Sequence, residues 1–372
     1  MKFNKKIVLL SSSLEGGGSE GVCVNIANNL AIRGWQVELL VLNLNKEAYL
    51  DRLSKDVNLI NLNISRTRYS IISLLKYIYK EKPKALLVFS YELSVLLVIL
   101  RIILKLRIKI ISRNVSTLSI RIDQLKKKNL WSKYFIGPLI KFFYQKVDHV
   151  VNQCKGMYDD LLNEHPKLYE KASIIFNPVS GQIADYAKSQ EIISVMKKDY
   201  ILCVGRLEKV KAFNYAIEAF AGISNKFSNL RLKIVGTGKL EEELKKKASE
   251  LSVLDRVDFE GFQQNIIPYY LYAKATMLTS LYEGYPNALI ESIALGTPVI
   301  AFDCRCGPDE IIQDNINGFL VRHLDVEDLK DKMGKILDTN FNRKKIILTA
   351  KNNQIEHVSE LYEKLIKSMI NF

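Results

Sequence analysis

Short apolar runs that favour β-strands alternate with helical patterns along most of the chain. The run Ile7–Ser11 precedes a helical pattern at Glu20–Arg33, and a second strand-like run follows at Gln36–Leu42. Strands that alternate with helices in this way form parallel sheets covered by helices. The sequence therefore predicts an α/β fold.

The predicted strands fall into two groups, separated by a polar stretch. The first group is Ile7–Ser11, Gln36–Leu42, Val57–Asn61, Ala85–Phe89, Lys109–Ser112, His149–Asn152 and Ser173–Phe176. The second group is Tyr200–Gly205, Leu230–Val235, Val257–Phe259, Ala275–Thr279, Val299–Ala301 and Gly318–Val321. Helices are predicted at Glu20–Arg33, Ile71–Lys80, Leu93–Leu106, Trp131–Lys146 and Lys155–Asn163.

The length of 372 residues is enough for two domains. Asn177-Pro178 ends the first predicted domain, at residues 1–180, and residues 181–199 are polar without clear periodicity, as in a linker. The second domain is predicted at 200–352. Residues 353–372 are predicted to form a final helix with one apolar face.

The positive charge is confined to the amino-terminal half. Residues 1–180 hold 28 Lys and Arg against 14 Asp and Glu, whereas residues 181–372 hold 26 of each. The most hydrophobic run, Leu93–Ile111, contains four basic residues, which argues against a transmembrane helix. A basic half would also suit nucleic acid, but no recognition motif accompanies it, and we expect no nucleic-acid partner.

The stretch Lys126–Lys146 contains both lysines and aromatic residues, such as Trp131 and Phe142. This mixture favours attachment to an anionic membrane surface. The alternative to membrane attachment is an ordinary helix, whose lysines face solvent and whose apolar residues face the protein core.

Cysteine and histidine usage indicates no metal or disulfide framework. The five cysteines are odd in number and scattered, at Cys23, Cys154, Cys203, Cys304 and Cys306. The four histidines are isolated. The amino terminus has three lysines before a short strand-like run, so no signal peptide is expected. These features favour reduced thiols in a cytoplasmic protein.

The segment Tyr282–Gly296 places two carboxylates, Glu283 and Glu291, eight positions apart around the start of a helix. Pro286 suits a first helical turn, because its missing N–H would be unsatisfied there in any case. The backbone amides of the three residues that follow, Asn287, Ala288 and Leu289, would then point out of the helix end, which attracts phosphate. A helix end that attracts phosphate, flanked by two carboxylates that can accept hydrogen bonds from sugar hydroxyls, suits a nucleotide-activated sugar.

Two further segments point to a phosphate ligand. Gly16, Gly17 and Gly18 follow the first strand and precede a helix, where glycines let the backbone approach a ligand closely. Arg206 follows a strand, and Lys211 lies five positions on. Two cations there could neutralise a diphosphate leaving group.

The segment from Glu283 to Glu291 resembles the Glu-x7-Glu motif of retaining glycosyltransferases of family 4. Other segments resemble this family's motifs in the same order: Val204-Gly205-Arg206-Leu207 with Lys211, Ile234–Gly238, Val257–Phe262, Gly296–Ala301 and Gly307–Ile311. The resemblance covers residues 200–321 densely, and the amino-terminal half mainly at Gly16–Glu20.

The resemblance implies the GT-B fold, in which two Rossmann-like domains face a central cleft and a carboxyl-terminal helix crosses back to the first domain. It also implies site roles. Arg206 and Lys211 would be catalytic groups that contact the donor pyrophosphate, which removes the need for a metal or other cofactor. Glu283 would face the donor sugar as a catalytic group, and Glu291 would bind the ribose.

The remaining implied substrate contacts are less direct. The glycine loop at Gly16–Gly18 would face the donor diphosphate. Gly236, Gly261 and Phe262 would border the nucleobase. The motif loop would surround the donor through Gly284, Tyr285, Pro286, Asn287, Ala288 and Leu289.

One segment departs from the family. Many relatives carry a histidine in the amino-terminal domain, near the donor sugar and the acceptor, whereas this chain has Ser112-Arg113-Asn114 at the comparable place. Arg113 or Asn114 is the candidate replacement for this histidine.

The expected activity is retaining transfer of a sugar, such as N-acetylgalactosamine or a related hexose, from a UDP-sugar. The expected acceptor is a lipid-linked, polyprenyl-diphosphate saccharide at the inner face of the membrane, in bacterial surface-glycan assembly. Two alternatives remain open. One is a nucleotide-sugar 2-epimerase of the same fold, and the other is an inactive, membrane-bound scaffold.

Overall fold

The structure, a computed structural model, describes residues 5–15, 17–44, 49–128, 130–189, 192 and 194–370. It contains two compact units. The first unit is Met1–Ser180 together with Ile355–Phe372, and the second unit is Gly181–Gln354.

The first unit is built on a seven-stranded parallel sheet. Its strands are β1 (Lys6–Ser11), β2 (Gln36–Val41), β3 (Val57–Asn61), β4 (Ala85–Val88), β5 (Lys109–Arg113), β6 (His149–Asn152) and β7 (Ala172–Ile174). They lie in the order β3-β2-β1-β4-β5-β6-β7. Each strand predicted for this half is present within a few residues of its expected bounds.

Helices cover both faces of this sheet. They are α1 (Gly18–Ile32), α2 (Ile71–Glu81), α3 (Tyr91–Leu104), α4 (Leu118–Lys128), α5 (Gly137–Phe143), α6 (Lys155–Glu164) and, after the second unit, α15 (Ile355–Ile370). Short 3-10 turns lie at Leu50–Arg52, Thr67–Tyr69, Tyr144–Lys146 and Pro166–Lys171.

Alternate residues of β1 face opposite sides of the sheet, as the two-residue repeat of a strand requires. Val8 and Leu10 pack in one apolar cluster with side chains of α2, α3, α5 and α6. Ile7 and Leu9 pack in the other, with α1 and α15. The sheet is therefore buried on both faces.

The last helix of the described chain completes the first unit. Val358, Tyr362, Ile366 and Ile370 of α15 recur every four residues, so they lie on one face of the helix. All four join the cluster formed with α1. At the rim of this contact, Arg33 Nε donates a 2.8 Å hydrogen bond to Glu363 Oε2.

The second unit has a six-stranded parallel sheet. Its strands are β8 (Tyr200–Val204), β9 (Arg231–Val235), β10 (Val257–Gly261), β11 (Ala275–Leu278), β12 (Val299–Phe302) and β13 (Gly318–Val321), in the order β10-β9-β8-β11-β12-β13. Its helices are α7 (Gly181–Ala187), α8 (Phe213–Ile223), α9 (Glu241–Glu250), α10 (Ile267–Tyr272), α11 (Asn287–Ala294), α12 (Pro308–Ile311), α13 (Val326–Asp338) and α14 (Arg343–Thr349).

The core of the second unit lies largely under α8 and α13. Phe213 and Phe220 of α8 and Met333 of α13 are nearly fully buried in one cluster with the central strands. The amino end of α13 is fixed by Asp325, whose carboxylate accepts a 2.9 Å hydrogen bond from the Asp328 N–H.

Two segments differ from the sequence-based expectation. The predicted single helix Trp131–Lys146 is divided into a π-helix at Ser132–Ile136, α5 and a 3-10 turn. Pro138 explains the break, because its ring lacks an N–H and would clash with the carbonyl four residues earlier in an α-helix. The Gly137 N–H accordingly donates to Ser132 O, five residues earlier.

The second difference is in residues 181–199, expected to be a linker. The segment contains α7, whose Ile183 is buried and which packs against α11. Further on, Arg343 Nη2 donates to Val195 O at 3.1 Å. Much of this polar segment is therefore attached to the second unit, through contacts with residues distant in sequence.

Candidate functional site

The residues predicted to bind a donor follow four adjacent strands of the second sheet. Arg206 and Lys211 follow β8, Gly236 follows β9, Phe262 follows β10, and Glu283 follows β11. The strand order reverses between β8 and β11, since β9 and β10 lie on one side of β8 and β11 to β13 lie on the other. In open parallel sheets, ligands bind beyond the carboxyl ends of the strands at such a reversal.

Two glycines bring the loops after β8 and β9 into close contact. Gly236 has a φ of 139°, and a Cβ atom built on it would lie 1.9 Å from Gly205 O. The Gly236 N–H donates to Gly261 O, at the end of β10, at 2.8 Å. Only glycine fits at position 236, because any side chain would overlap the backbone of the neighbouring loop.

Lys211 and Glu283 form the central pair of the site. Lys211 Nζ lies 2.6 Å from Glu283 Oε1, and their side chains are 20% and 14% exposed. The same oxygen, Glu283 Oε1, accepts a 2.6 Å hydrogen bond from Ser280 Oγ. Two of the three predicted catalytic residues, Lys211 and Glu283, are thus in direct contact across the strand reversal.

The backbone around Lys211 is fixed as well. Thr279 Oγ1 donates to Lys211 O at 3.0 Å, which ties the turn after β8 to the end of β11. Ala212, which follows, has a left-handed conformation with a φ of 46°. A non-glycine residue adopts this conformation only where its surroundings hold it. The position of the Lys211 ammonium is therefore set by the fold.

Arg206 differs from Lys211 in its surroundings. Its side chain is 67% exposed and makes a 3.3 Å ion pair with Glu208. The structure places Arg206 at the predicted strand end, but it does not place its guanidinium in the Lys211–Glu283 pair.

The motif helix α11 begins one residue later than expected. Asn287 is its first residue, and Pro286 precedes it with a ψ of 107°, outside the helical range. The Leu289 N–H already donates to Pro286 O at 3.1 Å. Of the three amides expected to face a phosphate, that of Leu289 is therefore used within the helix end.

Several side chains of the motif loop point into the protein. Tyr285 is 8% exposed and Leu289 is fully buried. The Tyr285 hydroxyl accepts a 3.1 Å hydrogen bond from Asn353 Nδ2. Gly284, Asn287 and Ala288 are half-buried. The buried side chains shape the loop, so a ligand contact at Tyr285, Pro286 or Leu289 would have to use the backbone.

Glu291 has a partner that sequence analysis missed. The hydroxyl of Tyr270, from α10, donates to Glu291 Oε2 at 3.0 Å. Tyr270 is fully buried, and its carbonyl accepts a 2.7 Å hydrogen bond from Thr297 Oγ1. No motif marks Tyr270 in the sequence. It orients the second motif carboxylate from a helix that is separated from α11 by one strand, β11, and a loop.

The segment after β12 packs against the motif loop. The Glu283 N–H donates to Arg305 O at 3.3 Å. Gly307 has a φ of 96°, and a Cβ there would lie 2.9 Å from Gly284 O. Burial raises the pKa of the Cys304 thiol to about 12, and the nearby Glu283 carboxylate adds to this shift. Cys304 is thus an inert thiol that fills space beside the site.

In the first unit, the predicted glycine loop follows β1, beside the strand reversal between β1 and β4. Gly16 lies outside the described residues. Gly17 precedes α1 in an extended conformation, and Gly18 is its first residue and is exposed. The Glu20 carboxylate lies over this loop, since a Cβ on Gly17 would be 2.2 Å from Glu20 Oε2.

Arg113 and Asn114, the candidate replacements for the family histidine, are 2% and 1% exposed. Arg113 donates from Nε to the Tyr362 hydroxyl at 3.1 Å and also hydrogen-bonds Asn177. Asn114 Nδ2 donates to Asn152 Oδ1 at 2.6 Å. Both side chains are used inside the first unit. The direct substrate contact expected at Arg113 or Asn114 stays a prediction.

Comparison with known proteins covers both halves of the chain. Residues 16–181 match the family described as Glycosyltransferase Family 4, and residues 186–353 match the family described as Glycosyl transferases group 1. An uncharacterized glycosyltransferase from Haemophilus influenzae is 26% identical over 363 residues, which cover 94% of each chain.

A second relative comes from Campylobacter jejuni. It is the N-acetylgalactosamine-N,N'-diacetylbacillosaminyl-diphospho-undecaprenol 4-alpha-N-acetylgalactosaminyltransferase, 30% identical over 194 residues, or 52% of each chain. Among solved structures, Anabaena HepE in complex with UDP and glucose matches with a TM-score of 0.73 and 16% identity, over 98% of this chain and 100% of that one. The protein belongs to the glycosyltransferases with the GT-B fold, with a Family 4 amino-terminal half and a group 1 carboxyl-terminal half.

Proposed function

We propose that the protein is a retaining, metal-independent glycosyltransferase of bacterial surface-glycan assembly. It would transfer a hexose or N-acetylhexosamine, such as N-acetylgalactosamine, from a UDP-sugar to a lipid-linked, polyprenyl-diphosphate saccharide. The observation that carries this proposal is the Lys211–Glu283 pair at the strand reversal of the second sheet.

The proposed role of Lys211 is to stabilise the departing diphosphate. When the bond between the sugar and UDP breaks, negative charge builds on the phosphate oxygens. A preorganised ammonium near that position lowers the energy of the transition state. The exposed guanidinium of Arg206 would swing onto the diphosphate as a second cation. Two cations from the chain would replace the charge that a divalent metal supplies in other transferases.

Glu283 would play two parts. Before the donor binds, its carboxylate holds Lys211 in place at 2.6 Å. With the donor bound, it would accept hydrogen bonds from the hydroxyls of the sugar and orient the ring. Glu291, held by Tyr270, would accept hydrogen bonds from the ribose hydroxyls. Transfer with retention would follow if the acceptor attacks from the side of the leaving group, whose phosphate oxygen takes the acceptor proton.

The choice of donor and acceptor has separate support. The structurally similar HepE was crystallised with UDP and glucose, which makes UDP a reasonable nucleotide for a site of this fold. The relative from Campylobacter jejuni acts on a saccharide linked to diphospho-undecaprenol.

The first unit supplies the proposed membrane contact. None of the helices in the described ranges is long and apolar enough to cross a bilayer. Large apolar side chains are nonetheless exposed together at Leu130, Trp131, Tyr134, Phe135, Leu139 and Phe142. This set, called the aromatic face below, lies among lysines. We propose that it attaches the enzyme peripherally to the cytoplasmic surface of the membrane, where a lipid-linked acceptor would be presented.

The test is transfer of radiolabelled sugar from UDP-N-acetylgalactosamine, UDP-N-acetylglucosamine or UDP-galactose to a membrane extract that contains lipid-linked saccharides. We expect label in the lipid fraction and an α-linkage in the product by NMR. Release of an epimerised nucleotide sugar without acceptor would identify a 2-epimerase instead. Binding of membrane without any turnover would identify an inactive scaffold.

A further inference from the structure

A pocket of about 610 Å³ opens beside the aromatic face of the first unit. Its walls come from α4, the π-helix Ser132–Ile136, α5 and the turn that follows α6. It lies far along the chain from the predicted donor residues, none of which lines it. The proposed donor site therefore does not account for this pocket.

The pocket is strongly basic. Four lysines line it, Lys126, Lys133, Lys141 and Lys167, against one carboxylate, Glu164. Lys126 pairs with Asp123 at 2.9 Å, but both side chains are more than half exposed, so the pair is weak. Among the described residues, no ion pair engages the other three lysines. The pocket thus presents a net positive charge to a ligand.

A buried histidine forms part of the same wall. His165 is 4% exposed, and its Nε2 has no hydrogen-bond partner within the described part of the chain. Burial lowers the pKa of His165; the nearby Glu164 carboxylate opposes this shift and Lys141 adds to it. A buried ring nitrogen without a partner is costly, and a small shift towards the pocket would let it hydrogen-bond a polar ligand.

The aromatic face continues into the pocket. Phe142 belongs to both, and Lys146 Nζ lies 5.0 Å from the centre of its ring. Trp131 and Phe135 stack at 4.2 Å and are both more than half exposed. Such rings settle at the boundary between lipid headgroups and acyl chains. The lysines beside them would then lie at the depth of the phosphates.

We propose that this pocket is a binding site for the phosphate-bearing headgroup of a membrane lipid. The proposal rests on the membrane contact proposed above and adds to it a defined site. Lysine ammonium groups would make charge-assisted hydrogen bonds to the phosphate oxygens, and His165 would supply a further polar contact. The chemistry differs from general attraction to a negative surface, which needs no pocket.

Vesicle binding separates these two possibilities. The variant Lys133→Gln/Lys141→Gln removes two pocket charges, and the control Lys127→Gln/Lys171→Gln removes two exposed charges of the first unit outside the pocket lining. Both variants have the same net charge. On vesicles of phosphatidylcholine with phosphatidylglycerol, we expect the pocket variant to bind about tenfold more weakly than the control. Equal weakening of both variants would overturn the headgroup site while leaving the membrane contact intact.

A second readout does not depend on vesicles. Titration with the short-chain lipid dihexanoylphosphatidylglycerol, below its micelle concentration, should shift the side-chain NMR signal of His165 more than those of the other three histidines. His165→Gln assigns the signal. Equal shifts of all four signals, or none, would refute the site even if that variant folds poorly. If the wild type ignores anionic vesicles altogether, the proposed membrane contact fails as well, whereas UDP binding by the second unit would be unaffected.

Discussion

Lys211 Nζ and Glu283 Oε1 lie 2.6 Å apart, although 72 positions separate the two residues in the sequence. The contact joins the turn after β8 to the loop after β11, on either side of the strand reversal. A lysine side chain that is mostly buried and already held by a carboxylate needs little rearrangement when a diphosphate arrives.

Lys211→Ala should lower kcat by about 10²-fold or more, because the main cation at the leaving group is lost. Lys209→Ala is the matched control, since Lys209 is exposed in the same short turn. The measurement is steady-state transfer from the UDP-sugar, with circular dichroism to verify folding. A folded Lys211→Ala enzyme with near wild-type turnover would remove Lys211 from the mechanism. Arg206→Ala should give a loss of similar kind.

Substitutions of the two motif carboxylates should differ in their effect on UDP binding. Glu291→Gln should weaken UDP binding, while Glu283→Gln should spare it and impair transfer. Tyr270→Phe should weaken UDP binding by roughly 2- to 10-fold, because Glu291 loses the hydrogen bond that orients it. Tyr272→Phe, on the partly exposed end of the same helix, is the control. Calorimetry gives all four dissociation constants, and loss of UDP binding in Glu283→Gln alone would reverse the two roles.

Excess EDTA should leave the rate of transfer essentially unchanged. The expectation follows from the cationic groups of the chain, Lys211 and Arg206, which are proposed to neutralise the leaving group. The assay compares enzyme dialysed against EDTA with enzyme supplied with Mg²⁺ or Mn²⁺. A rate that collapses in EDTA and recovers with either metal would contradict this account.

Glu363 should make the stability of the first unit depend on pH. Its pKa is lowered to about 2, first by Lys367 and then by Arg33, which favour the charged carboxylate. Because the folded pKa is below the ordinary value of 4.5, this stabilisation is complete above about pH 4.5 and is lost as pH falls through about 2.

Glu363→Gln should therefore lower the free energy of unfolding by about 1–3 kcal/mol at pH 7, and the difference from wild type should shrink towards pH 2. Glu360→Gln, one turn earlier and 60% exposed, should have little effect. Urea unfolding across this pH range measures both variants. A constant difference at every pH would show that the carboxylate charge is not responsible.

Gly236→Ala should disrupt the loops after β8 and β9. The added Cβ would lie 1.9 Å from Gly205 O, and the φ of 139° is unfavourable for alanine. We expect a loss of about 2–4 kcal/mol together with weaker UDP binding. Gly334→Ala, in α13, meets no atom within 4 Å and should stabilise the protein slightly. Equal melting temperatures for the two variants would rule out the close approach of the backbone at Gly236 to that at Gly205.

The alternation of strands and helices was enough to predict the α/β architecture. Apolar residues repeat every two positions in a strand and about every four in a helix, and both repeats can be seen in a short stretch of sequence. The motif spacing also placed Arg206, Lys211 and Glu283 at strand ends. It could not show that Lys211 contacts Glu283 or that Tyr270 orients Glu291, since both depend on which strands are neighbours. The break at Pro138 was visible as a residue type, but the π-helix it produces was not.

The amino-terminal site was harder to predict for a related reason. Arg113 and Asn114 follow a strand, as ligand-binding residues do, yet the structure buries both. What buries Arg113 is partly Tyr362, whose distance of 249 positions in the chain no local pattern reveals. The polarity of residues 181–199 likewise did not reveal that Arg343 binds their backbone.

The position of α15 has a consequence for how the protein is made. A ribosome synthesises residues 1–180 first and the whole of the second unit next, and only then the helix that carries Val358, Tyr362 and Ile366. Until that helix emerges, the nascent first unit presents an uncovered apolar surface beside α1. The amino-terminal half therefore cannot finish folding in the order in which it is translated, and this waiting period is when chaperones would be needed most.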